Sequence, residues 1–332
     1  MNFPGLIGVD WGSTHSRALL IAPDGECLQQ RTGGPGAKAL AGQGAAAWAQ
    51  ALQTLLGDWL PGHAHLPVLL CGMVGSAAGW CHAPYVDVAA DLVVTADTLA
   101  EVMSGLPRPP ESSLPTMMAV VPGLRHPAPV AAPGALPDFS DILRGEETQI
   151  LGALALCLQA DCVILPGTHS KWAPVDGQGR IQGFSTWWTG ELFELATQHS
   201  LLGQAMSGSG WDEAAFDQGV ATALARPDWL HQLFGVRARG VLGEMAPERL
   251  HAFLSGLLLA YECSAALARH GLPPQARLVL VCGPALATPY QRVLKHLGRE
   301  ATLVDGSTAV ARGLAQLAAA AGLTSAFNGR AS

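Results

Sequence analysis

Short apolar runs separated by glycine-bearing polar turns open the chain. Residues 6–9 are apolar and lead into Asp10, and the polar turn Gly12-Ser13-Thr14 follows. A second run, residues 16–22, ends at Pro23-Asp24-Gly25-Glu26, after which residues 27–31 can return as a third strand. Apolar runs of this length, bounded by turn residues, read as buried strands. The order strand, tight turn, strand, turn, strand predicts an antiparallel meander and departs from the strand-turn-helix opening of a dinucleotide-binding unit. Trp48, Leu52, Leu55 and Trp59 recur at helical spacing and predict a helix over residues 44–60. Residues 67–71 form a further strand, running into Gly72-Met73-Val74-Gly75-Ser76.

Residues 107–139 are rich in proline and glycine and read as loops around one short strand at 117–121. A helix is expected over 145–159, with the domain boundary beside it, at 143/144. Residues 162–165 then restart the opening pattern. A buried strand meets the turn Pro166-Gly167-Thr168-His169-Ser170-Lys171-Trp172, and a second strand leads to residues 175–181. Two such units about 155 residues apart suggest a duplicated architecture. The remainder reads as mostly helical. A long helix has Pro247 in its first turn and Gly271 at its stop. A strand follows at 278–282, then a helix containing Tyr290 and Leu294, and a last helix over 307–320. Residues 325–332 are expected to be a disordered tail.

A chain of 332 residues suits about two domains. With 49% hydrophobic and 14% charged residues it is not a disordered chain. The net charge of -7 argues against nucleic acid as the main partner, although a few local cations suffice for a small anion. Seven scattered cysteines without a C-x-x-C pair read as reduced thiols, and hence as a cytoplasmic protein. No signal peptide is expected at Met1-Asn2-Phe3-Pro4-Gly5. Residues 254–268 contain Tyr261 and Glu262 and read as a buried helix, not a membrane span.

Several strings carry candidate chemistry. In Asp10-Trp11-Gly12-Ser13-Thr14-His15-Ser16-Arg17, a buried strand delivers a carboxylate to a turn whose backbone N–H groups can cradle phosphate, with Asp10 holding Mg²⁺ through water. A plain hairpin with an Asx-type turn fits the same residues. Pro166-Gly167-Thr168-His169-Ser170-Lys171 lacks the second glycine of a Walker A loop. Paired with the first turn, it can clamp the triphosphate of ATP. In Arg144-Gly145-Glu146-Glu147-Thr148-Gln149, the two acids either complement a helix dipole or include a general base, with Arg144 gripping a substrate carboxylate. The Gly72–Ser76 loop with Gly79-Trp80 and Tyr85 reads as connection and packing or as a sugar site. Of the adjacent Trp187 and Trp188, one is expected at a surface or cleft. Val281-Cys282-Gly283-Pro284 is an ordinary strand-to-helix turn or a loop against an adenine. His63 and His65 read as solvated, and Gly208-Ser209-Gly210 lacks the spacing of a hydrolase elbow.

These residues resemble the sugar kinase/heat-shock/actin superfamily and, more narrowly, the 2-dehydro-3-deoxygalactonokinase family. The resembling strings run in order from Val9 to Leu192: Val9-Asp10-Trp11-Gly12-Ser13-Thr14, Cys71-Gly72-Met73-Val74-Gly75-Ser76, Gly79-Trp80, Ala83-Pro84-Tyr85, Val121-Pro122-Gly123, Arg144-Gly145-Glu146-Glu147-Thr148-Gln149, Leu165-Pro166-Gly167-Thr168-His169-Ser170-Lys171-Trp172 and Thr189-Gly190-Glu191-Leu192. The chain departs from the family pattern at Ala77-Ala78, where an arginine often stands, at Ile142-Leu143 and at Trp188.

The resemblance implies an α/β, two-domain actin/hexokinase-like (ribonuclease H-like) fold with an interdomain cleft. Residues 1–143 and 144–332 would be its N- and C-terminal actin-like ATPase domains. It implies phosphorylation of the terminal hydroxyl of 2-dehydro-3-deoxy-D-galactonate by ATP and Mg²⁺ in galactonate catabolism. Glu146 would be the catalytic base, with Glu147 as alternative, and Asp10 would serve catalysis and the metal. Phosphates would lie on Gly12, Ser13, Thr14, Gly167, Thr168, Ser170 and Lys171. The sugar acid would meet Arg17, Gly75, Ser76, Trp80, Arg144 and Glu147, and the adenosine Gly283 and Pro284. A kinase of another sugar acid and a non-catalytic nucleotide-binding regulator are the alternatives.

Overall fold

The computed structural model describes residues 3–88, 95–106, 114–115, 117–128, 139–157, 159–208 and 210–323. Most of the proline-rich stretch at 107–139 and the tail at 325–332 lie outside them. The chain divides into two compact units: Met1–Gln159 with Val175–Phe184 and Val304–Ser332, and Ala160–Pro174 with Ser185–Leu303.

The first unit opens with the expected meander. Strands β1 (Leu6–Trp11), β2 (His15–Ile21) and β3 (Cys27–Pro35) pair antiparallel in succession. The apolar pattern continues through α1 (Ala37–Leu40), α2 (Ala45–Leu56) and α3 (Trp59–Gly62). The expected single helix over 44–60 is thus broken at Gly57, whose φ of 52 no helix continues. Strand β4 (Val68–Gly72) lies parallel to β1. Then come β5 (Tyr85–Asp87), α4 (Ala96–Val102), β6 (Ser104–Gly105), β7 (Met118–Val120), β8 (Gly123–His126), β9 (Asp141–Leu143) and α5 (Glu146–Leu156). The main sheet has the order β3-β2-β1-β4-β7-β6, and β5-β8-β9 form a small second sheet.

The second unit repeats the plan. Its strands are β10 (Cys162–Leu165), β11 (Ser170–Pro174), β12 (Ser185–Trp187), β13 (Leu278–Val281) and β14 (Ala301–Val304), in the order β12-β11-β10-β13-β14. Again three antiparallel strands continue into a parallel neighbour of the first. Helices α6 (Thr189–Gln198), α7 (Glu213–Ala225), α8 (Trp229–Val241) and α9 (Leu250–Arg269) separate β12 from β13, and α10 (Pro284–His296) follows it. The last helix, α11 (Gly306–Ala320), belongs to the first unit. The expected division at 143/144 differs from the compact units because α5 packs along α11 and stays with the first unit. Helix α9 is apolar enough to cross a membrane, but 72% of the relevant window is buried inside the protein, as expected for a core helix. All seven cysteines are free thiols.

Each unit contains one helix pair in backbone contact. In the first, a Cβ on Gly313 of α11 would stand 1.9 Å from the Thr148 carbonyl oxygen of α5. In the second, a Cβ on Gly256 of α9 would stand 2.1 Å from the Phe216 carbonyl oxygen of α7. A methyl group cannot be accommodated there by turning a side chain, because the obstacle is backbone. We therefore expect Gly313→Ala and Gly256→Ala each to destabilise by at least the roughly 1–3 kcal/mol of an overpacked core. Gly306→Ala, which meets nothing within 4 Å, should change stability by no more than about 0.5 kcal/mol. Scanning calorimetry checks this, and equal melting temperatures for the three variants would contradict it.

Candidate functional site

Strand β1 ends beside β4, and the start of α5 lies against both. Gly145, with φ 106, caps α5, and a Cβ there would stand 3.1 Å from the Gly72 Cα. A Cβ on Gly72 would in turn stand 2.6 Å from the Trp11 carbonyl oxygen and 3.5 Å from Asp10 Oδ1. Three backbones thus meet where Asp10, Arg144, Glu146 and Glu147 are carried.

Asp10 is half-buried and opposite Arg17 in the β1–β2 register. Arg17 gives its Nε and Nη2 to Asp10 Oδ2 at 2.8 and 2.7 Å, and its Nη1 to the Ser307 hydroxyl at 2.8 Å. Ser307, 290 residues away on α11, carried no signal in the sequence. Oδ1 of Asp10 is left without a protein donor among the described residues. The turn that follows has a lopsided hydrogen-bond account. The carbonyls of Gly12, Ser13 and Thr14 accept from the N–H groups of Ala37, Lys38 and Gly36, each at 3.0 Å, and the Gly12 N–H donates to His15. The N–H groups of Ser13 and Thr14 have no protein partner among the described residues, so the turn's acceptors are spent while two donors are spare. That is the character of an anion-binding nest.

Helix geometry separates the two acids of α5. Consecutive residues of a helix point about 100° apart. Glu147 is fully buried and accepts the Gly145 N–H at 2.6 Å and the Thr148 hydroxyl at 3.2 Å. Glu146 is half-exposed and accepts the Arg144 N–H at 3.0 Å. Arg144 lies across the Tyr85 ring at 4.2 Å and gives Nη2 to the Ala83 carbonyl at 2.9 Å. Its Nε and Nη1 are buried without a partner among the described residues, beneath Gly75, whose missing Cβ would stand 2.8 Å from Nη1. Arg144 is therefore tucked under the 72–76 loop rather than extended toward solvent. Gly75 is buried, Ser76 half-buried, and Ala77 and Ala78 exposed. Trp80 is 7% exposed and packs in the first unit's core, not as an open platform for a sugar ring.

In the second unit the turn after β10 shows the same imbalance. The Thr168 carbonyl accepts the Glu191 N–H at 2.9 Å and the His169 carbonyl accepts Lys171 Nζ at 2.8 Å. The N–H groups of Gly167, Thr168 and His169 have no protein partner among the described residues. Ser170 and Lys171 are both buried, and the Ser170 hydroxyl donates to the Trp187 carbonyl at 3.5 Å. Gly283 and Pro284 are exposed, as N-cap and first residue of α10, and a Cβ on Gly283 would meet nothing within 4 Å. Trp188 is 52% exposed, as expected of one of the adjacent tryptophans, and both line a cavity of about 660 Å³ with Trp229 and Tyr261. The sequence reading gave no role to Glu262, although an acid inside an apolar helix was an available signal.

Burial, with Glu146 beside it, pushes the Glu147 carboxyl up to about 8. An acid whose pKa rises on folding stabilises the protein most below its unfolded value, near 4.5, and that contribution is lost as pH rises through about 8. Relative to Glu147→Gln, the wild type should therefore lose stability, on the order of a few kcal/mol, between these pH values. Urea unfolding of both proteins across this range measures the difference, and parallel profiles would contradict it.

A family model described as 2-keto-3-deoxy-galactonokinase matches residues 10–317. The chain is 36% identical over 314 residues to the 2-dehydro-3-deoxygalactonokinase of Escherichia coli K12, covering 94% of this chain and 97% of that one. It is 34% identical over 325 residues to a probable 2-dehydro-3-deoxygalactonokinase of Rhizobium meliloti, covering 94% and 96%. Among solved structures, a Sinorhizobium meliloti protein provisionally assigned the same activity superposes with a TM-score of 0.76 at 32% identity, over 96% of this chain and 98% of the other. An activator of 2-hydroxyisocaproyl-CoA dehydratase from Clostridium difficile, at 12% identity and a TM-score of 0.53 over 97% of each chain, shares the fold alone. The resemblance carried by the turn and Arg-Gly-Glu-Glu-Thr-Gln strings thus extends through nearly the whole chain, which belongs to the 2-dehydro-3-deoxygalactonokinase family.

Proposed function

We propose that this protein transfers the γ-phosphoryl group of ATP to the terminal hydroxyl of 2-dehydro-3-deoxy-D-galactonate, as a cytoplasmic enzyme of galactonate catabolism. The observation that carries the reading is the half-exposed Glu146 in the first turn of α5, whose cap Gly145 lies against Gly72 and so close to the strand end that carries Asp10, in a chain of this family. Glu146 orients the hydroxyl and takes its proton as the oxygen attacks phosphorus. The new P–O bond forms in line with the one that breaks to release ADP. Glu147 is buried and hydrogen-bonded, and supports the start of α5 instead. In the first unit the spare N–H groups of Ser13 and Thr14, with the charge of Arg17, suit phosphate oxygens, and in the second unit those of Gly167, Thr168 and His169, with the charge of Lys171, do. The adenosine is assigned to the exposed Gly283-Pro284 corner.

The donor set fits a magnesium ion. No group of three or more metal-ligating side chains occurs among the described residues, and Asp10 has one oxygen without a protein donor. A single carboxylate acting through water, with the phosphates as the other ligands, suits Mg²⁺, which keeps much of its hydration. Bound there, it would offset phosphate charge. For the sugar acid's carboxylate, Arg144 offers two buried N–H groups without an acceptor among the described residues, a deficit an anion would relieve.

ADP release with and without 2-dehydro-3-deoxygalactonate tests the function. The expected result is release only with the sugar acid, falling about 10²–10⁴-fold in Glu146→Gln while binding of an ATP analogue persists. Asp10→Ala should lose turnover in the same assay while remaining folded by circular dichroism. Sugar-independent ADP release in the wild type would overturn the function, and near-normal turnover in Glu146→Gln would reject it as the base.

A further inference from the structure

Helix α6 opens without a side-chain cap of its own. The first N–H groups of a helix have no acceptor within it, and its N-cap residue, Trp188, supplies none from its side chain. The second turn supplies one instead: the Glu191 N–H donates to the Thr168 carbonyl at 2.9 Å. Gly190 lies flat on the same turn. A Cβ there would stand 2.3 Å from the Gly167 carbonyl oxygen and 2.9 Å from the Thr168 Cα, and both obstacles are backbone. The Glu191 carboxylate adds a third contact. Its Oε2 lies 2.5 Å from His169 Nε2 and accepts Trp188 Nε1 at 2.6 Å. The first turn of α6 therefore meets residues 167, 168 and 169 one after another, by packing, by a backbone hydrogen bond and by a side chain.

The consequence is mechanical. The N–H groups of Gly167, Thr168 and His169 have no protein partner among the described residues, so they do not themselves hold the turn in one conformation. Contacts that occupy the turn's other side do so, and leave those donors free. We propose that Gly190 and Glu191 are positioning residues that hold the turn at residues 167–169 in the shape that receives the phosphates of a nucleoside triphosphate. The proposal rests on the reading that this turn binds ATP. Glu191 acts through His169. Both side chains are half-exposed, so water screens their charges, and the hydrogen bond rather than the ion pair carries the effect.

The test is calorimetric titration with the β,γ-imido analogue of ATP and Mg²⁺, together with steady-state kinetics, on the full-length protein. Gly190→Ala forces the helix start and the turn apart. It should weaken analogue binding and raise the KM for ATP by about tenfold or more, while the KM for the sugar acid stays within about twofold. Glu191→Ala should weaken binding about three- to fivefold, and Glu191→Gln, which keeps an acceptor oxygen at the same reach, should stay within about twofold of wild type. In a chain that already carries His169→Ala, Glu191→Ala should weaken binding no further. If Gly190→Ala does not fold, the Glu191 series carries the test alone. Folded Gly190→Ala with unchanged affinity, a glutamine variant as weak as the alanine one, additive effects of His169→Ala and Glu191→Ala, or an equal rise in both KM values would overturn the positioning role. A wild type that does not bind the analogue would overturn the ATP reading itself.

Discussion

The arrangement of the first unit depends on a backbone contact that admits no side chain, that of Gly72 with Gly145. Both glycines have positive φ, at 87 and 106; a Cβ on Gly145 would press on the Gly72 Cα at 3.1 Å, and one on Gly72 would stand 2.6 Å from the Trp11 carbonyl oxygen. The contact sets the first turn of α5 against the ends of β1 and β4, and so brings Asp10 near two consecutive glutamates. Helix geometry then leaves no freedom. One glutamate must point inward and the other outward. The inward one, Glu147, offsets part of its burial through its bonds to Gly145 and Thr148, and otherwise by holding its proton. The outward one, Glu146, remains for chemistry.

The second unit solves a related problem with the same residue type. Glu262 is buried below the second turn and gathers its donors from separate elements. Burial raises this carboxyl too, while the converging donors pull it back toward the charged form. In each unit, then, a buried glutamate lies behind the segment given a chemical role. Glu147 accepts the Gly145 N–H and the Thr148 hydroxyl, and Glu262 the side chains of Trp172 and Tyr290. Such groups are costly to bury, and they are retained where unique geometry matters more than stability.

Much of this was legible in the sequence, and the parts that were not share a cause. Strands β1 and β10 appeared as uninterrupted apolar runs because they are buried along nearly all of their length, whereas β3 is polar and lies at the sheet edge. Strand β14 has Leu303 exposed and shows no such run, and β5, β8 and β9 are only three or four residues each. The compact units differ from a division at 143/144 because α11 returns to α5, a contact between residues some 160 positions apart that local pattern does not register. For the site, both turns could be read from their glycines and hydroxyls. The different burial of Glu146 and Glu147 could not, because it depends on how α5 packs. Trp80 illustrates the reverse: the residue type suits a sugar platform, but packing places it in the core. Ser170 likewise suits a phosphate, but it is buried and its hydroxyl donates to the Trp187 carbonyl.

The central claim is that the chain's acceptor is the terminal hydroxyl of a sugar acid and that Glu146 makes it nucleophilic. Phosphorus-31 NMR of the purified protein with ATP, Mg²⁺ and 2-dehydro-3-deoxygalactonate reads the outcome directly. A new phosphomonoester signal, split into a triplet by the two protons of the terminal carbon and absent with Glu146→Gln, is the result predicted. A doublet, which marks a secondary hydroxyl, or inorganic phosphate as the sole product, would contradict it.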